Sequence, residues 1–209
     1  LSFLIGDSTP VFSASRPGNA NPSSALASGY YMIESGTDIM NDFSSYIQIR
    51  HGRNDGEINY VQPIDFSGSF TLGSLSLTRN LLSEKGFLPD LALYLTINNL
   101  SYLQDISCYL PFNHSLRNDF SIGGQFGIST YDNSLSNLSS TLYLGKGIND
   151  KIWTFIEVYG NTENEIMFDC GITYMFKNNI QIDTNFGLPL ASNDSSSIVQ
   201  LGIAWMSTR

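Results

Sequence analysis

Residues 167–176 read Met-Phe-Asp-Cys-Gly-Ile-Thr-Tyr-Met-Phe, and their polarity alternates along the chain. One parity is apolar, with Phe168, Cys170, Ile172, Tyr174 and Phe176. The other parity is mostly small or polar, with Met167, Asp169, Gly171 and Thr173. Because successive side chains of a strand point to opposite faces, this stretch predicts a strand with one apolar face and one polar face.

The same alternation recurs at intervals of about 15 residues, separated by clusters of Gly, Asn, Asp, Ser and Pro. It predicts twelve strands: 28–37, 44–53, 55–62, 69–82, 87–98, 102–111, 118–130, 136–147, 150–160, 164–176, 179–188 and 196–206. Residues 1–27 show no such period and are rich in Ser, Pro, Asn and Ala, which predicts an extended N-terminal arm. We therefore divide the chain into an arm, 1–27, and a strand domain, 28–209.

Composition indicates whether the apolar faces pack into a protein core or face lipid. Charged residues make up 14% of the chain, against about 25% in soluble domains. No apolar run approaches the ~18 residues of a transmembrane helix. A soluble sandwich or lipocalin-like barrel would show the same alternation, but its polar face should carry more charge. The sequence therefore predicts a transmembrane up-and-down antiparallel β-barrel of about 12 strands in the bacterial outer membrane, with the lipid bilayer as its partner.

Several function classes are disfavoured by the residues themselves. A net charge of -9 argues against nucleic acid as a partner. Cys108 and Cys170 stand far apart without CxxC spacing, so we expect two free thiols, no metal site and no cofactor. His51 and His114 are the two histidines, and Asn113-His114-Ser115 suggests a turn rather than a catalytic pair, so no enzyme is predicted. The first residues lack a basic region and a full apolar region, so we expect the numbering to begin after a cleaved signal peptide.

Several short motifs follow one another along the chain. They are Arg16-Pro17-Gly18, the stretch Gly29-Tyr30-Tyr31-Met32-Ile33-Glu34-Ser35-Gly36, Ile49-Arg50-His51-Gly52, Pro89-Asp90-Leu91-Ala92-Leu93, Phe155-Ile156-Glu157-Val158-Tyr159-Gly160 and Asp169-Cys170-Gly171-Ile172-Thr173-Tyr174. In this order the chain resembles the MetA-pathway of phenol degradation family, a transporter-like group of bacterial outer-membrane proteins. The resemblance implies an outer-membrane barrel and passive transport of small molecules. Bulky aromatic residues on the inward parity indicate apolar or aromatic molecules among them, if these residues line an open path. The alternative is a non-conducting structural or accessory subunit of a larger outer-membrane assembly, with other outer-membrane subunits as partners.

If the apolar parity faces lipid, the opposite parity lines the lumen. This places six members of a charge network inside: Glu34, Arg50, Asp105, Glu157, Asp169 and Asp183. Arg16 of the arm is expected to join them, because the inward carboxylates outnumber the inward arginines. The same parity also places a set of lumen aromatics there: Tyr30, Tyr94, Tyr109, Tyr143, Trp153 and Phe155. The carboxylates either favour cations or form a structural ion-pair network with Arg16 and Arg50. The bulky rings predict a narrow lumen, and the arm is expected as a lumen plug or as a strap on the periplasmic end.

Overall fold

The computed structural model describes residues 14, 18–40, 44–64, 72–100, 105–131, 134–162, 165–191 and 196–208. Within these ranges the backbone forms twelve strands in a closed antiparallel barrel. They are β1 (Tyr31–Asp38), β2 (Ser45–Arg53), β3 (Gly56–Ile64), β4 (Ser74–Leu82), β5 (Asp90–Ile97), β6 (Ile106–Ser115), β7 (Phe120–Tyr131), β8 (Ser134–Asn149), β9 (Ile152–Asn161), β10 (Ile166–Lys177), β11 (Ile180–Ala191) and β12 (Ile198–Met206). The predicted fold class is confirmed, and a strand is present at each of the twelve predicted places, with bounds that differ by a few residues. Residues 69–71 and 102–104 of the predicted fourth and sixth strands lie outside the described residues.

The barrel closes through the pairing of its first and last strands. β1 pairs with β2 on one side and with β12 on the other, in a register that runs from Met32 opposite Met206 to Asp38 opposite Gln200. Each remaining strand pairs with the strand before it and the strand after it in the chain. Closure leaves no open sheet edge, which is the condition for strands to cross a bilayer. No helix in the described part of the chain is long and apolar enough to span a membrane.

The apolar parity faces outward. Ile122, Leu142, Ile172, Ile182 and Ile203 have between 36 and 55% of their surface exposed, whereas polar residues of the opposite parity are buried inside. A water-soluble barrel would bury these five side chains in a packed core. The exposed belt is the surface that a membrane barrel presents to lipid, so the predicted orientation of the strands is confirmed.

Two further sequence predictions have different outcomes. Cys108 and Cys170 are free thiols on β6 and β10, as predicted. The interpretation of Asn113-His114-Ser115 as a turn is wrong, because these residues form the last part of β6, which runs further than the predicted 102–111. The turn follows at Leu116–Asp119, where Asn118 and Asp119 have φ values of 60° and 62°. Two adjacent residues in the left-handed region supply the chain reversal that the sequence placed too early.

The two ends of the barrel differ in the length of their connections. At the end where β1 begins and β12 ends, the five turns contain two, seven, four, two and two residues in chain order. At the opposite end, the six connections contain six, nine, eight, two, four and six residues, so they are longer on average. Membrane barrels have short periplasmic turns and longer extracellular loops, so the short-turn end is the periplasmic one.

Charge is divided between the same two ends. All eight Lys and Arg residues in the described ranges lie toward the short-turn end: Arg50, Arg53, Arg79, Lys85, Arg117, Lys146, Lys151 and Lys177. Among the described residues, the segments that connect strands at the opposite end contain no Lys or Arg and carry Asp105 and Glu165. The described part of the long-loop mouth is therefore acidic.

The lipid-facing belt yields a depth-dependent prediction. Ile172 lies midway along β10 and Leu190 near the long-loop end of β11, and both are exposed. We expect Ile172→Arg to lower the free energy of unfolding by about 2–4 kcal/mol, and Leu190→Arg by about 0–1 kcal/mol, because the cost of a charge falls toward the interface. Urea titration of the protein in phospholipid vesicles measures both. Equal losses for the two variants would contradict the assigned lipid face.

Candidate functional site: the barrel lumen

Arg50 lies inside the barrel at the centre of a buried ion-pair cluster. Its Nε and Nη2 atoms donate to the two carboxylate oxygens of Glu57 at 2.7 and 2.8 Å. Its Nη1 atom donates to Glu34 Oε1 at 2.9 Å. All three side chains are buried. This bidentate arrangement is among the stronger polar contacts in proteins, and it neutralises part of the buried charge.

A second group of carboxylates lines the wall formed by β9, β10 and β11. Glu157 and Asp169 are directly opposite one another in the β9–β10 register. Asn185 Nδ2 donates to Asp169 Oδ2 at 2.8 Å, and Gln181 Nε2 donates to Asp183 Oδ2 at 3.3 Å. In the described ranges, five buried carboxylates stand against one buried guanidinium, that of Arg50: they belong to Glu34, Glu57, Glu157, Asp169 and Asp183. The lumen is therefore acidic.

Two predicted site residues are placed apart from these groups, and a third lies outside the described residues. Asp105 precedes β6 at the long-loop rim, where its carbonyl accepts from the Asn98 N–H. Tyr30 precedes β1 at the short-turn end and packs against Leu26 and its neighbours rather than among the other lumen aromatics. Arg16 lies outside the described residues, so its pairing with the lumen carboxylates stays a prediction.

The arm enters the lumen and is bonded to the wall at Glu157 and Gln125. The backbone N–H groups of Asn19 and Ala20 donate to the two oxygens of Glu157 at 2.7 and 3.3 Å. The backbone N–H and the side-chain amide of Asn21 both donate to Gln125 Oε1 at 2.9 Å. Gln125 Nε2 donates in turn to the Asn19 carbonyl at 3.2 Å. These contacts fix the arm against β7 and β9.

The same arm is bonded to the opposite wall a few residues later. The Ala25 N–H donates to Asn80 Oδ1 and the Leu26 N–H donates to Glu57 Oε2, both at 2.7 Å. β3 and β9, which carry Glu57 and Glu157, are six strands apart in a closed ring of twelve and therefore face each other. Residues 19–26 thus cross the lumen from wall to wall.

At the end of the segment that crosses the lumen, the backbone of the arm packs closely on β2. A Cβ atom at Gly52 would overlap the carbonyl oxygens of Leu26 and Ala27, so only glycine lets the arm lie directly on β2. The Leu26 side chain is 2% exposed and forms an apolar cluster with Met32 and Met206. The Gly29 N–H then donates to the Gly52 carbonyl, which leads the chain into β1. The arm is thereby joined to the barrel at the short-turn end.

Four of the predicted lumen aromatics pack over glycines of neighbouring strands. Tyr109 covers Gly127, Tyr143 covers Gly123, Trp153 covers Gly145 and Phe155 covers Gly171. Trp153 also stacks on Phe155 with ring centroids 5.5 Å apart, and Tyr143 meets Trp153 edge-on at 6.4 Å. Because the glycines have no side chain, the rings fit into the pleat instead of projecting to the barrel axis. This placement leaves room for the arm in a lumen that the ring sizes alone would predict to be crowded.

Tyr94 is the buried centre of a hydrogen-bond group on β3, β4 and β5. Its hydroxyl donates to Ser76 Oγ at 2.9 Å and accepts from Asn59 Nδ2 at 3.1 Å. Its ring meets that of Tyr109 edge-on at 6.1 Å. This group lies on the same strands as Glu57 and Asn80, and it rigidifies the wall that holds the second half of the arm.

Two cavities lie on either side of the arm. The larger measures about 660 Å³ and is bordered by residues 20–27 of the arm and by the wall near the short-turn end, including Tyr143, Trp153 and Glu157. The smaller measures about 320 Å³ and is bordered by Asn19 and Asn21 and by wall residues toward the long-loop end, including Ser74 and Asn98. The arm therefore divides the interior into two chambers.

The parity of the strand residues predicted most of the side chains that line the lumen, but not which of them hold the arm. It gave Arg50, Glu34 and the three carboxylates of β9–β11. It did not single out Gln125 or Asn80, which hold the arm. Their inward parity was visible, yet Gln and Asn are ordinary lumen residues, and only the arm's path shows that they bind it.

No metal site emerges from the described residues, where no group of three or more His, Cys, Asp or Glu side chains converges. Neither a protein-family model nor a curated protein matches the chain, so the resemblance to the MetA-pathway of phenol degradation family is not confirmed.

Solved structures share the architecture. A KdgM porin in complex with disordered oligogalacturonate superposes with a TM-score of 0.67 at 10% identity, over 85% of this chain and 99% of that one. The COG4313 outer membrane channel from Pseudomonas putida F1 gives 0.63 at 10% identity, over 91% and 98% of the two chains. Omp33 from Acinetobacter baumannii gives 0.57 at 7% identity, over 84% and 96%.

The chain has the fold of an outer-membrane channel barrel. At these identities the similarity establishes the fold and no shared ligand. Together with the apolar belt, it places the protein in the bacterial outer membrane, with the lipid bilayer as its surroundings. These neighbours are porins and channels rather than enzymes.

The Arg50 cluster predicts a large stability effect at one position. Arg50→Met keeps the length of the side chain but leaves Glu34 and Glu57 buried without their cation, so we expect a loss of about 3–5 kcal/mol in the free energy of unfolding. Arg53→Ala, at an exposed position three residues away, should change it by less than about 0.5 kcal/mol. Urea titration in vesicles compares them. A loss for Arg50→Met as small as that for Arg53→Ala would contradict the cluster's role.

The ring-over-glycine packing can be tested by a double-mutant cycle. A Cβ at Gly127 would meet the Tyr109 ring and the Ser139 hydroxyl, which are side-chain atoms. We expect Gly127→Ala to lower the free energy of unfolding by about 1–3 kcal/mol, as overpacking does. The loss should be much smaller in a Tyr109→Ala background, because the ring is then absent. Additive effects of the two substitutions would show that Tyr109 does not lie on Gly127.

Proposed function

We propose that this protein is a passive channel for small molecules in the outer membrane, closed at rest by its N-terminal arm. The observation that carries the proposal is the arm's path, since residues 19–26 cross the lumen and are bonded to both walls. The barrel does not need the arm to close, because its ladder is completed by β1 and β12. The arm can therefore leave the lumen while every strand stays paired.

The lumen's charge and aromatic surface indicate the class of solute. Five buried carboxylates and an acidic long-loop mouth favour cations and neutral molecules over anions. Trp153, Phe155 and Tyr143 offer ring faces beside the larger cavity. We propose small neutral or cationic solutes with an apolar or aromatic part. The resemblance to the MetA-pathway of phenol degradation family points the same way, whereas a carboxylate-bearing chain such as the oligogalacturonate of the KdgM porin would be repelled.

A second candidate function is a non-conducting structural or accessory subunit of a larger outer-membrane assembly. The arm's contacts with both walls favour it equally, if the arm never leaves. Conductance separates the two functions, because an accessory subunit has no need of an openable lumen.

Deleting residues 1–27 tests the arm as a plug. In a planar bilayer, we expect the full chain to conduct poorly and the deleted chain to conduct in steady unitary steps. Heat-modifiable mobility on a gel serves as the control that both proteins are folded. A folded, deleted chain that stays closed would favour the accessory subunit, and a large, steady conductance from the full chain would contradict the plug.

The acidic wall predicts the selectivity of the open channel. Asp169→Asn and Asp183→Asn each remove a negative charge from the lumen. In the arm-deleted chain, each should therefore move the reversal potential measured in a salt gradient toward zero, because the preference for cations falls. The matched control is Asp150→Asn, in the exposed β8–β9 turn at the short-turn end, which should leave the potential nearly unchanged. An anion preference in the unsubstituted channel would contradict the role given to the carboxylates.

A further inference from the structure

The contacts that hold the arm in the lumen are directed mainly to its main chain. Five backbone N–H groups donate to side chains of the wall: those of Asn19, Ala20, Asn21, Ala25 and Leu26. Within the described part of the arm, the Asn21 side-chain amide adds a bond to Gln125, and the Leu26 side chain adds the apolar anchor. Main-chain N–H groups are common to all peptides except at proline, so such contacts do not depend on the arm's own sequence.

The wall presents the groups that an extended peptide requires. Glu157 accepts from two consecutive N–H groups with its two oxygens. Gln125 uses both ends of its amide, accepting from the Asn21 N–H and donating to the Asn19 carbonyl. Asn80 and Glu57 accept from two further consecutive N–H groups on the opposite wall. Two pairs of acceptors, four to seven residues apart along the arm, thus define a track across the lumen.

The occupant's side chains are small. Residues 18–27 are Gly-Asn-Ala-Asn-Pro-Ser-Ser-Ala-Leu-Ala, with no charge and no aromatic ring. Gly18 has a φ of 105°, and a Cβ there would lie 3.3 Å from Glu157 Oε2 and 3.4 Å from the Phe155 ring, so the chain passes close to the wall. The surrounding carboxylates disfavour acidic side chains in the same place.

We propose that Glu57, Asn80, Gln125 and Glu157 form a binding site for extended peptides with small, uncharged side chains, and that the arm is its built-in occupant. The inference rests on the proposed function to the extent that the arm must be able to leave the lumen. A peptide segment in solution or on another protein then competes with the arm for the same acceptors, and its entry displaces the arm as its bonds replace the arm's bonds.

The test uses the full chain with donors removed from the arm and the wall left intact. Asn19→Pro, Asn21→Pro and Ala25→Pro together remove three of the five N–H groups. Ser23→Pro is the matched control, since the Ser23 N–H is not among those five donors. Trp205→Phe, a change on the lipid face, leaves Trp153 beside the larger cavity as the single tryptophan that reports on the lumen.

The probe is a synthetic peptide of residues 18–27 with blocked ends, titrated against Trp153 fluorescence in vesicles. We expect saturable binding to the triple-proline chain, and binding at least about tenfold weaker to the Ser23→Pro chain, where the arm still competes. N-methylation of the peptide at the positions of Asn19, Asn21 and Ala25 should also weaken binding by at least about tenfold. A peptide with its other residues shuffled around the fixed proline and leucine should bind within about threefold of the original, because every main-chain donor is kept.

Binding and conductance are recorded on the same variants, so the two proposals fail separately. A triple-proline chain that conducts but does not bind the peptide overturns the peptide site and leaves the channel standing. A chain that binds but never conducts overturns the channel alone. Equal binding of the N-methylated and unmodified peptides overturns main-chain recognition. Where the triple variant does not reach the folded mobility, Asn21→Pro alone takes its place in the same comparison.

Discussion

Backbone hydrogen bonding inside a bilayer is the constraint on which the rest of this structure depends. Lipid offers no partner for an N–H or C=O group, so a sheet can cross it only when its two edges meet. Here the edges meet where Met32 to Asp38 of β1 pair with Gln200 to Met206 of β12. Closure turns one parity of every strand toward lipid and the other toward an enclosed space. The lumen and its chemistry follow from that single pairing.

An enclosed polar space in turn sets conditions on what it contains. Buried charges require partners, and Arg50 meets two carboxylates while Glu157 accepts main-chain N–H groups from the arm. The arm thus contributes to the electrostatics of the interior as well as to its filling. A segment held by side-chain acceptors, and not by a strand ladder, can be exchanged for another one without breaking the barrel. The arm is therefore suited to movement, whereas the strands must stay paired.

The sequence predicted the fold closely because the period-two pattern is local and repeats twelve times. Its errors fell where local pattern is weakest. Asn113 to Ser115 contain good turn residues, yet they stay in β6 because the ladder with β7 continues to Ser115 opposite Ser121. The ring sizes of Tyr109 and Trp153 predicted a narrow lumen, and that stays a prediction. The sequence could not show that Gly127 and Gly145 lie beneath these rings, since cross-strand register depends on all strands together.

The sequence by itself determined the number of strands, the face that meets lipid and the acidic character of the lumen. Each of these depends on parity or composition, which can be counted along the chain. Only the tertiary structure decided that residues 19–26 cross the interior from Glu157 to Glu57, that Gln125 and Asn80 hold them, and that Gly52 gives them room. The hydrogen bonds among these contacts join residues 31 to 138 positions apart in the chain. No periodicity encodes such pairs, because they exist only once closure has brought opposite walls within reach of one short segment.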